Sequence, residues 1–409
     1  GGGSGGWATN PLPLACTAEG NNDYREWGFD LFQVPVAALD RLVLEMFCDL
    51  GLVAEFGLDP LALRSFLVRV DVAMSLYGNP YHNRLHSFDV CQSCFVLTTR
   101  MRCRDLVETD DSSVDLLGLL VAALCHDLEH PGHNNAFAVN AMTDLGIRYN
   151  DASPLENHHI ATAWTILRSQ GCELFEPLAV EQTKRVRKLM ISSILATDMT
   201  VHFALKNELD GVIKRNENNN QQQQGVAAFP GTEVKALESD LDRTILLKVV
   251  LHVADISNPC KPWGIGKKWS DRVIQEFFHQ GDAEKKLGLP ATPNMDRDTT
   301  KQAELSVNFV DFIVGPFFMA LTSLLPRVYE CCELMLENRS GWSELVEQGI
   351  SGNEGFGAVK KQEEKAKWKK RETGFSDVCG PVIAQGKSAA SPAPLRDGGC
   401  QGVGSKDYR

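Results

Sequence analysis

Wherever apolar residues cluster in this chain they recur at helical spacing, and strict two-residue alternation is hard to find. In VAALDRLVLEMFCDLG, Val36, Leu39, Val43, Phe47 and Leu50 fall on one face, and Gly51 ends the run. A period near 3.6 makes such a face a single stripe of an α-helix, which has to be buried against other helices. DPLALRSFLVRVDVAMSLYG follows the same grammar, with Asp59 as cap, Pro60 in the first turn and Gly78 as stop. Polar cap, apolar period, and glycine or proline stop then alternate down the chain. The pattern predicts an all-α domain over residues 27–350, a compact stack of many helices too long for a four-helix bundle. No internal repeat of fixed period is visible.

Three segments depart from this pattern. Residues 1–26, rich in Gly, Asn and Pro, read as a loose N-terminal segment, with order starting near EWGFDLF. NENNNQQQQG, within residues 216–233, reads as a low-complexity surface loop between helices. Residues 351–409 lose the apolar period and read as a disordered or partly helical tail carrying the mostly basic run KKQEEKAKWKKRE.

The formal charge of −12 argues against nucleic acid as the main partner, because phosphate backbones need a basic stripe. An acidic protein still binds a small anion when metal ions reverse the local field. No uninterrupted apolar run approaches the ~20 residues of a membrane-spanning helix, and no secretory pattern is present. The twelve cysteines are scattered, several inside apolar helical runs, which favours reduced thiols and a cytoplasmic setting. Cys91 and Cys94 form a lone C-x-x-C within a helical pattern, a weak metal motif.

The chemistry gathers in the histidines. Seven of the ten lie between residues 82 and 159. YHNRLH places His82 and His86 four apart, which on a helix is one face, and Asn79-Pro80 reads as the helix start. The nearly all-apolar VDLLGLLVAAL runs directly into CHDLEHPGHNN, with His126, Asp127, His130 and His133. ENHH adds Glu156, His158 and His159, and far downstream VVLHVADISNP ends another apolar helix in Asp255. One histidine alone is most simply a satisfied core or surface group. Several clusters, each attached to an apolar helix, suit a divalent ion held by imidazoles and carboxylates from separate helices. A buried carboxylate such as Asp255 is costly unless it is paired or metal-bound. His86, His126, Asp127 and Asp255 are therefore the expected shell of one metal. Asp127 has a second oxygen to offer a second, largely water-coordinated ion such as magnesium. Two ions sharing a water would generate hydroxide at neutral pH, a nucleophile suited to phosphorus. Glu156 has a structural alternative, because SPLE is a capping box with Ser153 as N-cap and Pro154 at N1. His133, His158, His202 and His252 read as packing or supporting residues.

In YHNRLHSFDV, HDLEHPGHNN, RYNDASPLENHH, LATDM, HVADISNPCKPW, EFFHQGD and FVDFIVGPF, taken in order, the chain resembles the catalytic domain of class I 3′,5′-cyclic-nucleotide phosphodiesterases. These motifs run from Tyr81 to Pro316, and RYNDASPLENHH and GLPATPNMDRD are most similar to the high-affinity cGMP-hydrolysing subclass. The resemblance implies an all-helical HD-type fold with zinc at the first site and magnesium or manganese at the second. It implies hydrolysis of cGMP or cAMP to the nucleoside 5′-monophosphate by a bridging hydroxide, as part of signal transduction. His82 would protonate the leaving 3′ oxygen as general acid, while His130 and Glu156 would act through the second metal's waters. Tyr81, Asn258, Phe277 and Phe309 match positions around the nucleoside, with Phe309 stacking on the purine. A homodimer is the candidate assembly.

One position departs from the family pattern. Where the family has a glutamine that forks onto the purine edge, AELSVNF has Ser306, too short to make the same pair of bonds. Gln302, one turn earlier, is the candidate substitute. The metal chemistry is untouched by this change. Base recognition is not, so two alternatives stand beside the cyclic-nucleotide reading: an HD-type phosphohydrolase acting on another phosphoester, and a catalytically weak nucleotide-binding regulator.

Overall fold

The structure is a computed structural model that describes residues 22–224 and 236–349, with side chains described outside 220–224. Its helices are α1 (Leu39–Asp49), α2 (Leu52–Phe56), α3 (Pro60–Met74), α4 (Arg84–Thr98) and α5 (Cys103–Leu106). They continue with α6 (Ser112–Cys125), α7 (Asn135–Asn140), α8 (Asp144–Arg148), α9 (Pro154–Leu167), α10 (Val180–Leu195) and α11 (His202–Gln224). The last are α12 (Asp240–Asp255), α13 (Trp263–Lys286), α14 (Gln302–Phe309), α15 (Gly315–Leu321) and α16 (Tyr329–Gln348). Among the described residues there is no strand, so the chain is all-α.

The centre is α6. Every residue from Val114 to Cys125 is buried, the mark of a helix apolar all round and enclosed by neighbours. It packs against α4 and α10, with α9 and α12 completing the ring. Truncating a side chain such as Leu120, 1% exposed, to alanine would cost ~2–5 kcal/mol. Because α6 is sealed on all sides, its C-terminal residue can only project His126 and Asp127 into the interior.

Two sequence expectations shift. The Asn/Gln tract is not a loop from residue 216, since α11 runs unbroken to Gln224. Glutamine is a good helix former, and a helix already under way needs no new nucleus to extend. The remainder of that segment, and the tail 351–409, lie outside the described residues. At the other end, residues 22–26 belong to the packed structure. Tyr24 is buried against Phe95, its hydroxyl donates to Asp49 Oδ2 at 2.9 Å, and Gln92 Nε2 donates to the carbonyls of Tyr24 and Glu26 at 2.8 and 2.9 Å.

Within Gln302–Leu321 an 18-residue window has a mean hydropathy of 1.5, so by length and composition alone this stretch could cross a membrane. Here it is a core element. Val307, Val310, Val314, Phe317, Phe318 and Leu321 are buried, and Asp311 Oδ1 accepts from Arg339 Nε of α16 at 2.6 Å. A π turn over Val310–Val314 separates α14 from α15. Pro316, which lacks an N–H, stands two residues after Val314, and such a residue disrupts regular helical bonding before it.

Candidate active site

The YHNRLH segment is not one helical face. Asn83 is the N-cap of α4, its side chain accepting from Leu85 N at 2.9 Å. His82 therefore lies in the turn before the helix, while His86 sits in its first turn. The Asn83 side chain caps a first-turn N–H that has no carbonyl partner within the helix, and the boundary falls four residues later than Asn79-Pro80 implies. Asn79 instead ties this turn to the next motif, donating to the carbonyls of His82 and His130 at 3.0 and 2.6 Å. Its side chain lies where a Cβ at Gly132 would stand, 2.6 Å away, and Gly132 has φ +76°. Only glycine serves there.

Four ligand-type residues converge from three elements. His86 Nε2 lies 3.0 Å from Asp255 Oδ1 and 3.3 Å from Asp127 Oδ2, and His126 Nε2 lies 3.0 Å from Asp127 Oδ2 and 3.4 Å from Asp255 Oδ1. One donor atom from each of the four falls within 4.8 Å of the others, and His82, Asp127 and His130 form a second such group sharing Asp127. His126 Nδ1 is bonded to the Ala123 carbonyl at 2.8 Å, which puts its proton there and turns the Nε2 lone pair inward. His126 Nε2 and Asp127 Oδ2 are both fully buried, and neither makes a well-formed hydrogen bond. The pair faces each other at 3.0 Å, a setting that a bound cation would satisfy. The donor set, two imidazoles and two carboxylates, fits a zinc-like ion.

Electrostatics point the same way. Burial raises the pKa of Asp127, but charge on the neighbouring His126 and His82 outweighs it and holds the carboxyl well below its usual range. Asp255 is lowered too, burial being overcome by His126 and His86. Burial opposes charge on His126, yet Asp127 and Asp255 raise it well above the usual imidazole value. The pocket is built to hold positive charge.

His82 is the outlier in this group. Its Nδ1 contacts Glu276 Oε1, while Glu276 Oε2 accepts the backbone N–H of Tyr81 at 3.0 Å and of His82 at 3.1 Å. Burial pulls the ring's pKa down, but Glu276 and Asp127 raise it to about 9. The His130 ring stacks on it at 3.8 Å between centroids, and burial together with the His82 charge drives His130 well below its usual value. Glu276 lies inside the quoted EFFHQGD motif, yet its role went unread in the sequence. Nothing local marks it as the partner of a residue 194 positions away.

Glu156 does not close a capping box. Ser153 has φ +42° and no capping bond, and its hydroxyl donates to Asp198 Oδ2 at 2.7 Å. Both Glu156 oxygens instead accept from Asn135 Nδ2, at 3.1 and 2.9 Å, and burial raises its carboxyl to about 7. His159 is a second residue missed as part of the centre. Its Nδ1 is bonded to the Leu128 carbonyl at 2.6 Å, its Nε2 faces Asp127 Oδ1 at 3.8 Å, and burial pushes it down to about 4. His158 pairs with Glu129 at 2.8 Å, His133 stacks on Phe137, and His202 meets His252 at 2.8 Å against Phe317. Cys91 and Cys94 are fully buried in α4, where burial pushes both thiols up, and neither joins a metal group among the described residues.

The nucleoside-side residues are less united. The Tyr81 ring lies 4.4 Å from the His86 ring, and its hydroxyl donates to Asn258 Oδ1 at 2.7 Å. Phe277 is half-buried on α13, next to Glu276. Ser306 and Phe309 are on α14: Ser306 Oγ lies 3.3 Å from Ser270 Oγ, and Phe309 packs against the main core. Gln302 does not substitute for a longer residue at 306. It is 1% exposed, and its amide nitrogen is committed to Ser270 Oγ and Asp271 Oδ1 at 3.0 and 2.7 Å.

A helical core delivers histidines and aspartates from three helix ends to one charged pocket that could hold a metal ion, with an acid-paired histidine beside it. The sequence profile of the 3′5′-cyclic nucleotide phosphodiesterase family matches residues 81–335, and the chain belongs to that family. It is 33% identical over 342 residues to the 3′,5′-cyclic-nucleotide phosphodiesterase regA of Dictyostelium discoideum, covering 83% of this chain and 40% of regA. It is 35% identical over 301 residues to the human high affinity cGMP-specific 3′,5′-cyclic phosphodiesterase 9A, covering 73% of this chain and 46% of that protein. The chain thus spans about half the length, or less, of these relatives. The crystal structure of the phosphodiesterase domain of the RhoPDE fusion protein from Salpingoeca rosetta superposes with a TM-score of 0.70 at 31% identity, covering 80% of this chain and 96% of that one.

Proposed function

We propose that this chain hydrolyses a 3′,5′-cyclic nucleotide to the nucleoside 5′-monophosphate. The observation that carries the reading is the placement of His82, gripped by Glu276, at the edge of a pocket where His86, His126, Asp127 and Asp255 converge. These four residues would hold one divalent ion, zinc by its mixed set of two imidazoles and two carboxylates. Asp127, with His130 and Glu156 behind it, would hold a second, magnesium or manganese. When bound, the ions supply positive charge against the phosphoryl oxygens and an activated water.

The chain's own residues do the rest. Asp127 and Asp255 supply the negative charge that faces a cation in the pocket. With Nδ1 held by Glu276, His82 is left with Nε2 to present its proton, the arrangement a general acid needs at the departing 3′ oxygen. Tyr81 and Asn258 stand at the nucleoside side, with Phe277, Ser306 and Phe309 further out. The subclass resemblance favours cGMP. Among the described residues no cysteine is disulfide-bonded, in keeping with a cytoplasmic setting.

Ser306 supports a second reading, a phosphohydrolase acting on another phosphoester, because no long amide side chain replaces it. Turnover of cAMP and cGMP by purified protein, with and without magnesium, decides between them. Hydrolysis of either nucleotide supports the first reading, and hydrolysis of a different phosphoester alone supports the second.

A further inference from the structure

Beyond the metal pocket, one buried ion pair is joined to the site by an unbroken chain of hydrogen bonds. Lys261 is fully buried, a costly place for an ammonium. It donates to Ser93 Oγ at 2.8 Å, to Gln92 Oε1 and the Trp27 carbonyl at 3.3 Å, and lies 4.1 Å above the Trp27 ring. Its charge partner is Asp89 at 3.7 Å, three residues after His86 on α4. The other oxygen of Asp89 accepts from Asn258 Nδ2 at 3.2 Å, and Asn258 Oδ1 accepts from the Tyr81 hydroxyl at 2.7 Å.

The chemistry of these groups gives the chain a direction. A carboxylate paired with an ammonium can only accept. The Asn258 amide must therefore turn its nitrogen to Asp89 and its oxygen to Tyr81. The Tyr81 hydroxyl must in turn spend its one proton on Asn258, and only its lone pairs remain for anything else. We propose that Asp89 is a positioning residue: with Lys261 it sets the polarity of this relay and so makes the Tyr81 hydroxyl an acceptor toward the nucleoside. The inference deepens the cyclic-nucleotide reading and rests on it for the identity of the ligand. The class of ligand group it selects is an N–H or O–H donor.

Asp89→Asn is nearly isosteric and reverses the relay. Its oxygen would turn to Lys261 and its nitrogen to Asn258, the Asn258 amide would flip, and the Tyr81 hydroxyl would accept from Asn258 and donate outward. In Asp89→Asn, KM for the better of cAMP and cGMP should rise ~10-fold, as expected for one misdirected hydrogen bond, with kcat changed less than ~2-fold. The double variant Asp89→Asn/Asn258→Asp restores an acceptor facing Tyr81. The tyrosine C–O stretching band, read as a difference against Tyr81→Phe, reports donor or acceptor status without any turnover. It should shift in the single variant and return in the double one. If the protein turns over no cyclic nucleotide, the functional reading fails, and the band still tests the relay. An unshifted band in Asp89→Asn, or a folded double variant whose band stays shifted, overturns the proposal. If Asp89→Asn does not fold, Tyr81→Phe should raise KM for cyclic nucleotide by more than for bis(4-nitrophenyl) phosphate, which lacks a nucleoside. Equal losses on both substrates also overturn it.

Discussion

Glu276 holds His82 by two atoms, the ring Nδ1 and the backbone N–H, and also accepts the backbone N–H of Tyr81 before it. Ring orientation and protonation are thus set by one carboxylate on α13. Glu276→Gln keeps the shape and removes the charge. The imidazolium then loses its main support, and its pKa falls from about 9 toward the ordinary ~6.5. The alkaline limb of the rate profile should move to lower pH, and turnover at pH 8 should drop more than at pH 6. His82→Ala should cut turnover by ~10²–10⁴-fold at every pH, with metal content near that of the parent protein. Elemental analysis alongside kinetics checks both, and metal lost from His82→Ala would make His82 a ligand.

His126 Nε2 and Asp127 Oδ2 are buried, face each other at 3.0 Å and lack a hydrogen-bond partner, a setting that a bound cation would satisfy. Asp255→Asn and His126→Ala should each lose bound metal and more than ~10²-fold of activity, the upper end of what weakened metal centres show. Chelation of the parent protein should abolish turnover and lower its melting temperature, since an ion bound only by the folded state stabilises it. Readdition of zinc with magnesium should reverse both effects. Full activity in metal-free protein would contradict the assignment.

Ser306 is partly buried and faces Ser270 across the α13–α14 contact. Ser306→Gln should place an amide where two hydrogen bonds to a purine edge can form and lower KM for one nucleotide by ~10-fold or more. Steady-state kinetics with cGMP and cAMP decide it, and an unchanged KM for both would show that another residue reads the base.

His252 is buried behind Asp255, and burial lowers its pKa to about 4. The unfolded chain takes up this proton near pH ~6.5 and the folded chain only near 4. Stability from this group is therefore complete above pH ~6.5 and drains away as pH falls toward 4, by roughly 3 kcal/mol in all. Urea denaturation at pH 7 and pH 5 should show a smaller loss for His252→Gln than for the parent. Equal losses would place the titration elsewhere.

The helical class, the four metal-type residues and His82 were legible in the sequence, because apolar period and ligand type are properties of short stretches. CHDLEHPGHNN declares its chemistry within eleven residues, and the burial of α6 leaves it one direction in which to point. Tertiary structure decided what local patterns cannot encode. Glu276 joins His82, Asn135 takes Glu156 away from its capping box, Asp89 governs Tyr81 through Asn258, and α11 carries a polar tract as helix. Each of these turns on a partner distant in sequence or on a neighbouring turn already formed. A side chain's hydrogen-bonding partner depends on which surfaces the packed helices bring together, and no spacing within one segment contains that information.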